Sequence, residues 1–354
     1  MKRLLTLLLA LAMVLCLFSG CSKDDGGTAP DVDGDGLNEH DVSGPVNPLT
    51  GETVSEDASE LRPYCVMINN HPAARPAIGL SQASIVYEAL AEGGLTRMMA
   101  IFTDVDEITI GSIRSARPYF ISMAQAYDAV YVHAGGSEQA YSDIKTLGID
   151  NIDGVRGGRS GEPACYYRDQ TRLNEGRNIE HTLFAKGSNL ASFAENNYDL
   201  KHADGYDTSY GLSFSTDAVS QCSKSSTDFT VYYSGYSTDF KYSPDKNCYN
   251  AFIDGDEYID GGNNSSIDFA NVIVLNIPSR TVDGYGRQAM EMTGSGSGYF
   301  FTGGKYVEIN WERADRADNF HYTLKDGTPL NLSIGKTFIS IAPLDSTKGL
   351  IFNG

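Results

Sequence analysis

Short apolar runs of strand length recur along most of this chain, whereas helix-length patterns occur in only part of it. The runs YCVMIN, SIVYEAL and RMMAIFTD, within residues 64–104, are bounded by Gly, Asn, Asp or Pro. This pattern predicts buried β-strands. A chain with its apolar residues arranged in this way must bury them in sheets, so we expect sheets to dominate the fold.

The first half of the chain mixes such strands with helices. Two glycines between SIVYEAL and RMMAIFTD predict a hairpin, and ITIGSI and AVYVHAGG are further strands. One helix is predicted to begin at Pro118, and a second to run from the Ser137 cap to Gly148. A further helix is expected over roughly 183–196. We therefore predict a layered α/β or α+β domain over residues 61–207.

After about residue 207 the helical patterns vanish. The runs FTVYYS, NVIVLNI, QAMEMTG, YFFTGGKYVEINW and KTFISIAP are strand-like and are separated by Gly, Asn, Asp and Ser. They predict a mostly-β domain over residues 208–354, as a small sandwich or a barrel-like meander. The glycine-rich GSGSG at residues 294–298 is followed by no helix, so we interpret it as a turn and not as a phosphate loop.

The N-terminus has the features of a secretory signal. Lys2 and Arg3 precede an apolar run over residues 4–18, which is shorter than the roughly 20 residues that span a bilayer. Ser-Gly then precedes Cys21, as in bacterial lipoprotein signals. We expect residues 1–20 to be removed and Cys21 to carry the lipid (diacylglycerol and palmitate-like chains) on the extracytoplasmic face of the cell membrane. The alternative is an ordinary signal peptide with an incidental cysteine.

The charge of the chain restricts its partners. It has 46 acidic and 27 basic residues; cleavage after residue 20 would leave 25 basic residues and a net charge of −21. Nucleic acids and anionic lipid surfaces are bound through basic patches, so this composition argues against both as partners. The lipid anchor would therefore have to hold the protein at the membrane.

Residues 21–60 are predicted to form a flexible tether. Positions 22–60 contain eleven acids, one base and no Phe, Trp or Tyr, too little apolar surface to offset the entropy of ordering. The residues spaced like the first part of a calcium loop are Asp31, Asp33, Asp35 and Glu39. The closing position holds Val42, so such a site would bind calcium weakly; an acidic tether without calcium is the alternative.

GSIRSARPYF contains two arginines, Arg114 and Arg117, with no acid within five positions of either. Ligand sites in α/β sheets gather where strands end and helices begin, and the free N–H groups of a helix that begins at Pro118 would attract anions. The candidate anion-binding residues are Arg114, Arg117, His133, His71, Arg168 and His181. The alternative is structural pairing of the arginines with acids such as Glu88.

A catalytic set is harder to define. Glu88 or Glu92 with His133 is the acid/base combination that the sequence offers, and nothing in the sequence fixes their separation. There is no nucleophile elbow, no thiol in a reactive setting and no His/Cys spacing typical of zinc. Whether the protein is an enzyme therefore stays open.

Four cysteines remain beyond Cys16 and Cys21. Because disulfides form in extracytoplasmic proteins, pairing within each domain predicts the bridges Cys222–Cys248 and Cys65–Cys165. Cys65 also lies in a predicted buried strand, so it can equally be a core residue.

The run MINNHPAARPAIGLSQASIVYEALAEGGLTRMMAIF, followed by GSIRSARPYF and YDAVYVHAGGS, resembles the YerB-like family of bacterial two-domain lipoproteins. NVIV, GRQ, GSGSGY and GKTFISIAP resemble the C-terminal domain of that family. The resemblance implies a lipid anchor and this domain order. It implies no established reaction and no cofactor, and it assigns no catalytic residue.

Two functions stay open. The first is a binding or scaffold lipoprotein that recognises an anionic envelope component, such as a phosphate-bearing wall polymer, or a partner protein. The second is a hydrolase or transferase that acts on a phosphate-bearing or glycan polymer of the cell envelope.

The lipid anchor can be tested directly. Cys21→Ala removes the sulfur that would carry the lipid, so we expect the protein to leave the membrane fraction or to remain uncleaved. Detergent partitioning and the mass of the N-terminus measure this. A variant that is cleaved normally and still partitions into detergent would disprove the anchor.

Overall fold

The computed structural model describes residues 44–233, 235–344 and 349–354. The predicted signal peptide, Cys21 and the calcium candidates Asp31, Asp33, Asp35 and Glu39 lie outside the described residues. Within the described ranges, no helix combines the length and apolar character needed to cross a membrane.

The described residues form four α-helices and 22 β-strands, connected by short 3₁₀ segments and loops. The helices are α1 (Pro118–Ala126), α2 (Glu138–Leu147), α3 (Gln170–Asn174) and α4 (Gly187–Asn197). The strands are β1 (Tyr64–Asn69), β2 (Ile85–Leu90), β3 (Thr96–Phe102), β4 (Thr109–Gly111), β5 (Val130–His133), β6 (Asn151–Asp153), β7 (Tyr166–Arg168), β8 (Leu183–Lys186), β9 (Lys224–Ser225), β10 (Asp228–Tyr232), β11 (Ser237–Ser243), β12 (Cys248–Ile253), β13 (Asp256–Glu257), β14 (Asp268–Phe269), β15 (Asn271–Asn276), β16 (Ser279–Thr281), β17 (Gln288–Met290), β18 (Gly294–Thr302), β19 (Lys305–Arg313), β20 (His321–Leu324), β21 (Thr337–Ala342) and β22 (Leu350–Phe352).

An eleven-stranded sheet forms the centre of the structure. Its order is β20-β19-β18-β15-β21-β2-β3-β1-β5-β6, with β9 paired to β19. Strands β1, β2, β5, β6, β15 and β21 all run in one direction, and β3 runs against its neighbours β1 and β2. The ends of these parallel strands define a carboxyl edge and an amino edge of the sheet.

Three smaller sheets complete the fold. Six strands pair as β13-β12-β11-β10-β22 with β14 beside β12, three pair as β4-β8-β7, and β16 pairs with β17. The predicted α+β first half and mostly-β second half are confirmed. The second-half strands are divided among the central sheet, the six-stranded sheet and the β16–β17 pair.

The two faces of the central sheet are covered by different layers. Side chains alternate along β1, so that Cys65 and Met67 belong to the core beneath α1 and α2. Val66 and Ile68 belong to the opposite core, which includes residues of α4, the three-stranded sheet and the six-stranded sheet. The expected boundary near residue 207 lies between α4 and β10, and strands from both sides of it join the central sheet.

Parallel pairing of β2 with β21 joins the two halves of the chain, and Glu88 lies at this junction opposite Ser340. Glu88 is buried and its carboxylate accepts four hydrogen bonds. The donors are Asn70 Nδ2 (3.0 Å), Thr96 Oγ1 (2.5 Å), Tyr233 OH (2.9 Å) and Thr238 Oγ1 (2.8 Å). Burial raises the pKa of Glu88, although the bonds from three hydroxyl groups oppose that shift. The junction between the halves is therefore polar and fully hydrogen-bonded at this carboxylate.

Residues 44–60 differ from the expected flexible tether. Leu49 and Thr50 are buried, Asn47 Nδ2 donates to Thr103 Oγ1 (3.1 Å), and Gly335 N donates to Thr50 O (2.8 Å). These contacts hold the segment against the amino edge. The expectation of a flexible tether is therefore wrong for this segment, and the rest of the predicted tether, residues 21–43, lies outside the described residues.

The predicted disulfides are wrong in this structure, where Cys65, Cys165, Cys222 and Cys248 are free and buried. Cys65 lies in the core beneath the helices, whereas Cys165 lies in the core on the opposite face of the sheet. Cys222 also belongs to the helix-side core, while Cys248 begins β12 of the six-stranded sheet. The central sheet therefore separates Cys65 from Cys165.

Some predicted strands and helices are confirmed, and others are wrong. The predicted strand over residues 64–69 and the helices beginning at Pro118 and after Ser137 are confirmed. The helix expected over 183–196 begins only at Gly187, because residues 183–186 form β8. GSGSG is the first part of β18 and not a turn; a Cβ at Gly296 would lie 2.5 Å from Trp311 Nε1 on the neighbouring strand, so glycine leaves room for the indole.

Glu88→Ala tests the junction. The substitution leaves buried donors from both halves of the chain without their acceptor, so we expect the free energy of unfolding to fall by about 3 kcal/mol. Urea denaturation measures the change, with exposed Glu107→Ala as the control. Equal stability of the two variants would contradict the proposed role of the junction.

Candidate functional site

Residues 112–116, here called the wedge segment, insert between the carboxyl ends of β1 and β5. The two strands pair only from Tyr64 to Val66. Beyond that point Arg114 N donates to Met67 O (2.9 Å), while Arg114 O accepts from Ala134 N (3.0 Å). The wedge segment therefore occupies the gap and brings GSIRSARPYF to the carboxyl edge.

The small residues of this motif are needed for close packing. A Cβ at Gly111 would lie 2.6 Å from the ring of Phe184, and Gly111 has a φ of 157°. Ala116 is buried, and its N donates to Gly135 O (2.9 Å). Larger side chains would push the wedge segment away from the strand ends.

Arg114 in the wedge segment and Arg117, directly after it, point to opposite sides of the sheet. Arg114 and Arg117 are an odd number of positions apart on extended backbone, which places their side chains on opposite faces. Arg114 binds Glu180, and Arg117 binds Glu92. The expectation that both arginines would converge on one anion site is therefore wrong.

Arg114 lines a pocket of about 370 Å³ at the carboxyl edge. We call it the arginine pocket, because its charged lining residues are Arg114, Arg156, Arg168 and Glu180. The other walls include Ser115, Gly135, Gly136 and Tyr141. The wedge segment, the loop after β5, the loop after β6, the end of β7 and the turn before β8 thus contribute to one cavity.

Each arginine of the pocket also contacts an acid. Arg114 Nη2 lies 2.7 Å from Glu180 Oε2, Arg156 Nη2 lies 2.9 Å from Glu138 Oε1, and Arg168 Nε lies 2.8 Å from Glu162 Oε1. The guanidinium of Arg156 also lies 4.1 Å above the Tyr141 ring. The hydrogen bond from Arg114 lowers the pKa of Glu180. These pairs are partly exposed, so an incoming anion can compete with the carboxylates.

Asp153, at the end of β6, forms hydrogen bonds with residues that line the pocket. Its carboxylate accepts hydrogen bonds from Gly135 N (2.9 Å), Val155 N (2.8 Å) and Tyr141 OH (2.8 Å). Burial opposes its ionisation, but the nearby His133 and the backbone N–H groups outweigh burial and lower its pKa. The loops that carry the pocket walls are therefore held by a fixed negative charge.

Arg117 is part of a buried ion cluster. Glu92 Oε2 lies 3.1 Å from Arg97 Nη2, and Glu92 Oε1 accepts a short hydrogen bond from Arg117 Nε. Burial opposes the ionisation of Glu92, but the two arginines lower its pKa to about 2. Arg117 is the residue before the first turn of α1, as predicted, yet its guanidinium is already occupied. The acid that pairs with it is Glu92 and not Glu88.

The three histidine candidates occupy two different environments. His71 and His181 stack with their ring centroids 4.6 Å apart, and His181 Nε2 lies 3.6 Å from Glu180 Oε1, beside the pocket. Burial and the nearby His71 lower the pKa of His181. His133 is buried, with Nδ1 2.8 Å from Gly135 O and Nε2 3.1 Å from Asn151 Oδ1. The prediction of His133 as a ligand-binding residue is therefore not supported by its position.

The weak catalytic candidates Glu88, Glu92 and His133 do not form one site. Glu88 is enclosed by its four donors, Glu92 is bound by two arginines, and both ring nitrogens of His133 face protein oxygens. Among the described residues that line the arginine pocket, none is one of these three. The described part of the chain also has no cluster of three or more metal-ligating side chains.

The four thiols are poor nucleophiles. Burial raises the pKa of Cys165 and of Cys248 to about 11 and that of Cys222 to about 12, and it raises the pKa of Cys65 as well. They are protonated at neutral pH.

Sequence reasoning identified Arg114, Arg168 and His181 but missed Arg156, Tyr141, Asp153 and Glu180. One signal was available in DGVR at residues 153–156, where an acid and an arginine stand at the end of β6, a strand that the sequence analysis did not predict. Glu180 gave no such signal, because its pairing with Arg114 joins segments far apart in the chain.

The comparisons with known proteins agree with this architecture. A family described as "Protein of unknown function (DUF3048) N-terminal domain" matches residues 49–206, and the corresponding C-terminal domain matches residues 229–339. "Putative lipoprotein YerB" from Bacillus subtilis (strain 168) is 29% identical over 300 residues, which cover 84% of this chain and 86% of that protein.

A solved structure is also similar. The crystal structure of the YerB protein from Bacillus subtilis matches with a TM-score of 0.74 and 28% identity, over 87% of this chain and 99% of that chain. With both domain matches in order and a relative of similar length, this chain belongs to the DUF3048 family and is a homologue of YerB.

Proposed function

We propose that this protein is a lipid-anchored, extracytoplasmic binding protein whose arginine pocket recognises an anionic group of a cell-envelope component. The observation that carries the proposal is local charge. The lining has three arginines and one acid in a chain whose acidic residues outnumber its basic residues 46 to 27. Because the ion pairs of these arginines are partly exposed, an anion can displace their carboxylates and bind the guanidinium groups, whereas the rest of the acidic surface repels it.

Geometry supports recognition of a phosphate or carboxylate. Planar guanidinium groups bind such oxyanions through paired hydrogen bonds. The three arginines reach the cavity from three separate segments, so one anion can contact more than one of them. A volume of about 370 Å³ accommodates a group of the size of a small phosphorylated unit.

The same site gives little support for catalysis. A general acid or base must reach the substrate, and Glu88, Glu92 and His133 are all bound within the protein. Glu180 is the carboxylate that lines the pocket, and it forms an ion pair with Arg114. Binding is therefore the better supported of the two functions.

The proposed location rests on the sequence and on the relative. The LFSGC stretch that ends at Cys21 fits a lipoprotein signal, and the Bacillus subtilis relative is named as a lipoprotein. That placement supports the proposed extracytoplasmic face, and together with the arginines of the pocket it supports the proposal of a phosphate-bearing wall polymer as the ligand.

Opposite substitutions of one ion pair test the anion site. Arg114→Ala should weaken binding of inorganic phosphate by about tenfold or more, because it removes a charge-assisted contact. Glu180→Gln should strengthen binding, because it frees Arg114 and removes a negative charge. Isothermal titration calorimetry of the detergent-solubilised full-length protein measures both, and glycerol 3-phosphate tests whether a phosphate ester binds in the same way.

Exposed Arg159→Ala serves as the matched control, since Arg159 is not among the lining residues. The Arg114–Glu180 pair is partly exposed, so the stability of either variant should change by less than about 1 kcal/mol. Lower melting temperatures without any change in phosphate binding would make the pair structural and would refute the site.

Glu92→Gln tests the separate role of Arg117. The folded-state pKa of Glu92, about 2, lies below its usual 4.5, so its ionised form stabilises the fold. This contribution is complete above about pH 5 and is lost as the pH falls towards 2. We expect Glu92→Gln to lower the free energy of unfolding by about 2–3 kcal/mol at neutral pH, and the difference from the parent to shrink in acid.

Urea denaturation at several pH values measures this difference, with exposed Glu107→Gln as the control. A deficit that is unchanged between neutral and acidic pH would show that Glu92 does not act through its charge.

A further inference from the structure

A second pocket, of about 690 Å³, lies at the amino edge of the central sheet. We call it the amino-edge pocket and define it by the lining residues Asn47, Ser84, Asp104, Lys246, Asp268 and Lys336. Its walls come from both halves of the chain and from the ordered segment 44–54. The arginine pocket is at the other edge, so the two cavities are separate.

Strand register fixes the spacing along this pocket. Thr337 pairs with Ile85, and Ile85 pairs with Ile101. Lys336 directly precedes β21, and Asp104 lies two residues beyond the end of β3. Strand β2 lies between β21 and β3, so these two strands are two strand spacings apart, or about 10 Å, which gives the separation of Lys336 and Asp104 across the sheet.

The β21 end of the pocket has an excess of positive charge. Lys336 Nζ lies 2.7 Å from Asp268 Oδ1, and Lys246 Nζ lies 3.7 Å from Asp268 Oδ2. One carboxylate is thus shared by two ammonium groups. The Lys336 ammonium also donates to Ser81 O (3.1 Å), whereas the half-exposed Lys246 is held loosely. Lys246 is therefore the cation that an incoming carboxylate can engage.

The β3 end carries the opposite charge. Asp104 is exposed, and the hydrogen bond described for its carboxylate is accepted by Oδ1 from Asp106 N (3.0 Å). The other oxygen, Oδ2, can accept from a ligand. Glu52 adds a second carboxylate to the lining.

Neutral hydrogen-bonding groups lie between the two ends. Gln82, Ser84 and Asn47 line this part of the pocket. No aromatic side chain occurs among its described lining residues, so the stacking surface typical of sugar sites is missing there. Amide and hydroxyl groups can form hydrogen bonds with the peptide groups of a ligand, while the cation and the anion at the two ends of the pocket bind its charged termini.

We propose that the amino-edge pocket binds a short peptide as a zwitterion, with its carboxylate at Lys246, beside Lys336, and its ammonium group at Asp104. An extended residue spans up to about 3.3–3.6 Å, so the separation of about 10 Å between the Lys336 and Asp104 strands corresponds to a peptide of about three residues. This proposal does not depend on the function of the arginine pocket.

The test uses glycine peptides, which supply only backbone and charged ends. Isothermal titration calorimetry of the detergent-solubilised full-length protein compares glycine, diglycine and triglycine. We expect triglycine to bind at least about tenfold more tightly than glycine, because only it reaches both charges. N-acetyl-triglycine and triglycine amide each lack one charge and should each bind about tenfold more weakly than triglycine.

Charge-removing variants locate the two ends. Asp104→Asn should abolish the advantage of triglycine over its N-acetyl form, and Lys246→Met should abolish its advantage over the amide. The matched controls, Asp106→Asn and Lys241→Met, alter exposed residues outside the lining and should bind triglycine as the parent does. The end-capped peptides test the same claim on the unaltered protein.

Triglycine that binds no better than glycine would overturn the proposal, as would an equal loss in Asp104→Asn and Asp106→Asn. Retained triglycine binding in Arg114→Ala is expected, since that residue lies at the opposite edge. If Arg114→Ala lost triglycine binding, the peptide would be at the arginine pocket and the assignment would be wrong.

Discussion

A buried carboxylate connects the parts of this molecule that come from the two halves of its sequence. Glu88 lies where β2 pairs with β21, and its donors come from the ends of β1 and β3 and from the six-stranded sheet. Burial alone would disfavour its charge, and only the folded arrangement brings four donors to it. The central sheet is continuous because β2 pairs with β21 at this junction, and the positions of both pockets depend on that sheet.

The two arginines of GSIRSARPYF have different roles at the carboxyl edge. Arg117 is enclosed with Glu92 and Arg97, so its charge contributes to stability. Arg114 points to the other side and shares a partly open cavity with two further arginines. Segment 44–54, which lies within the predicted tether of residues 21–60, packs at the opposite edge. A ligand in the arginine pocket is therefore bound far from the point where the chain enters the described structure.

Sequence patterns predicted local elements better than their partners. The YCVMIN strand was identified with its observed bounds because six consecutive buried residues leave few alternatives. The pairing of β2 with β21 could not be predicted, because a buried strand presents the same pattern whatever its neighbours are. The disulfide prediction failed for the same reason: counting cysteines does not show that a sheet lies between Cys65 and Cys165. The strand-end rule found Arg114 and Arg168, while Glu180 came from a distant turn that no local pattern connects to them.

The hydrogen bonding of the wedge segment limits the insertions and deletions that this family can accept there. Because its backbone is hydrogen-bonded on both sides, it behaves as part of the sheet, although it lies in a connection between elements. Insertions and deletions are usually tolerated in connections. Here, adding or removing one residue between Arg114 and Arg117 would turn one guanidinium to the other face. Both charges would then compete for Glu92 or for the arginine pocket, so the length of this segment is as constrained as the identity of its residues.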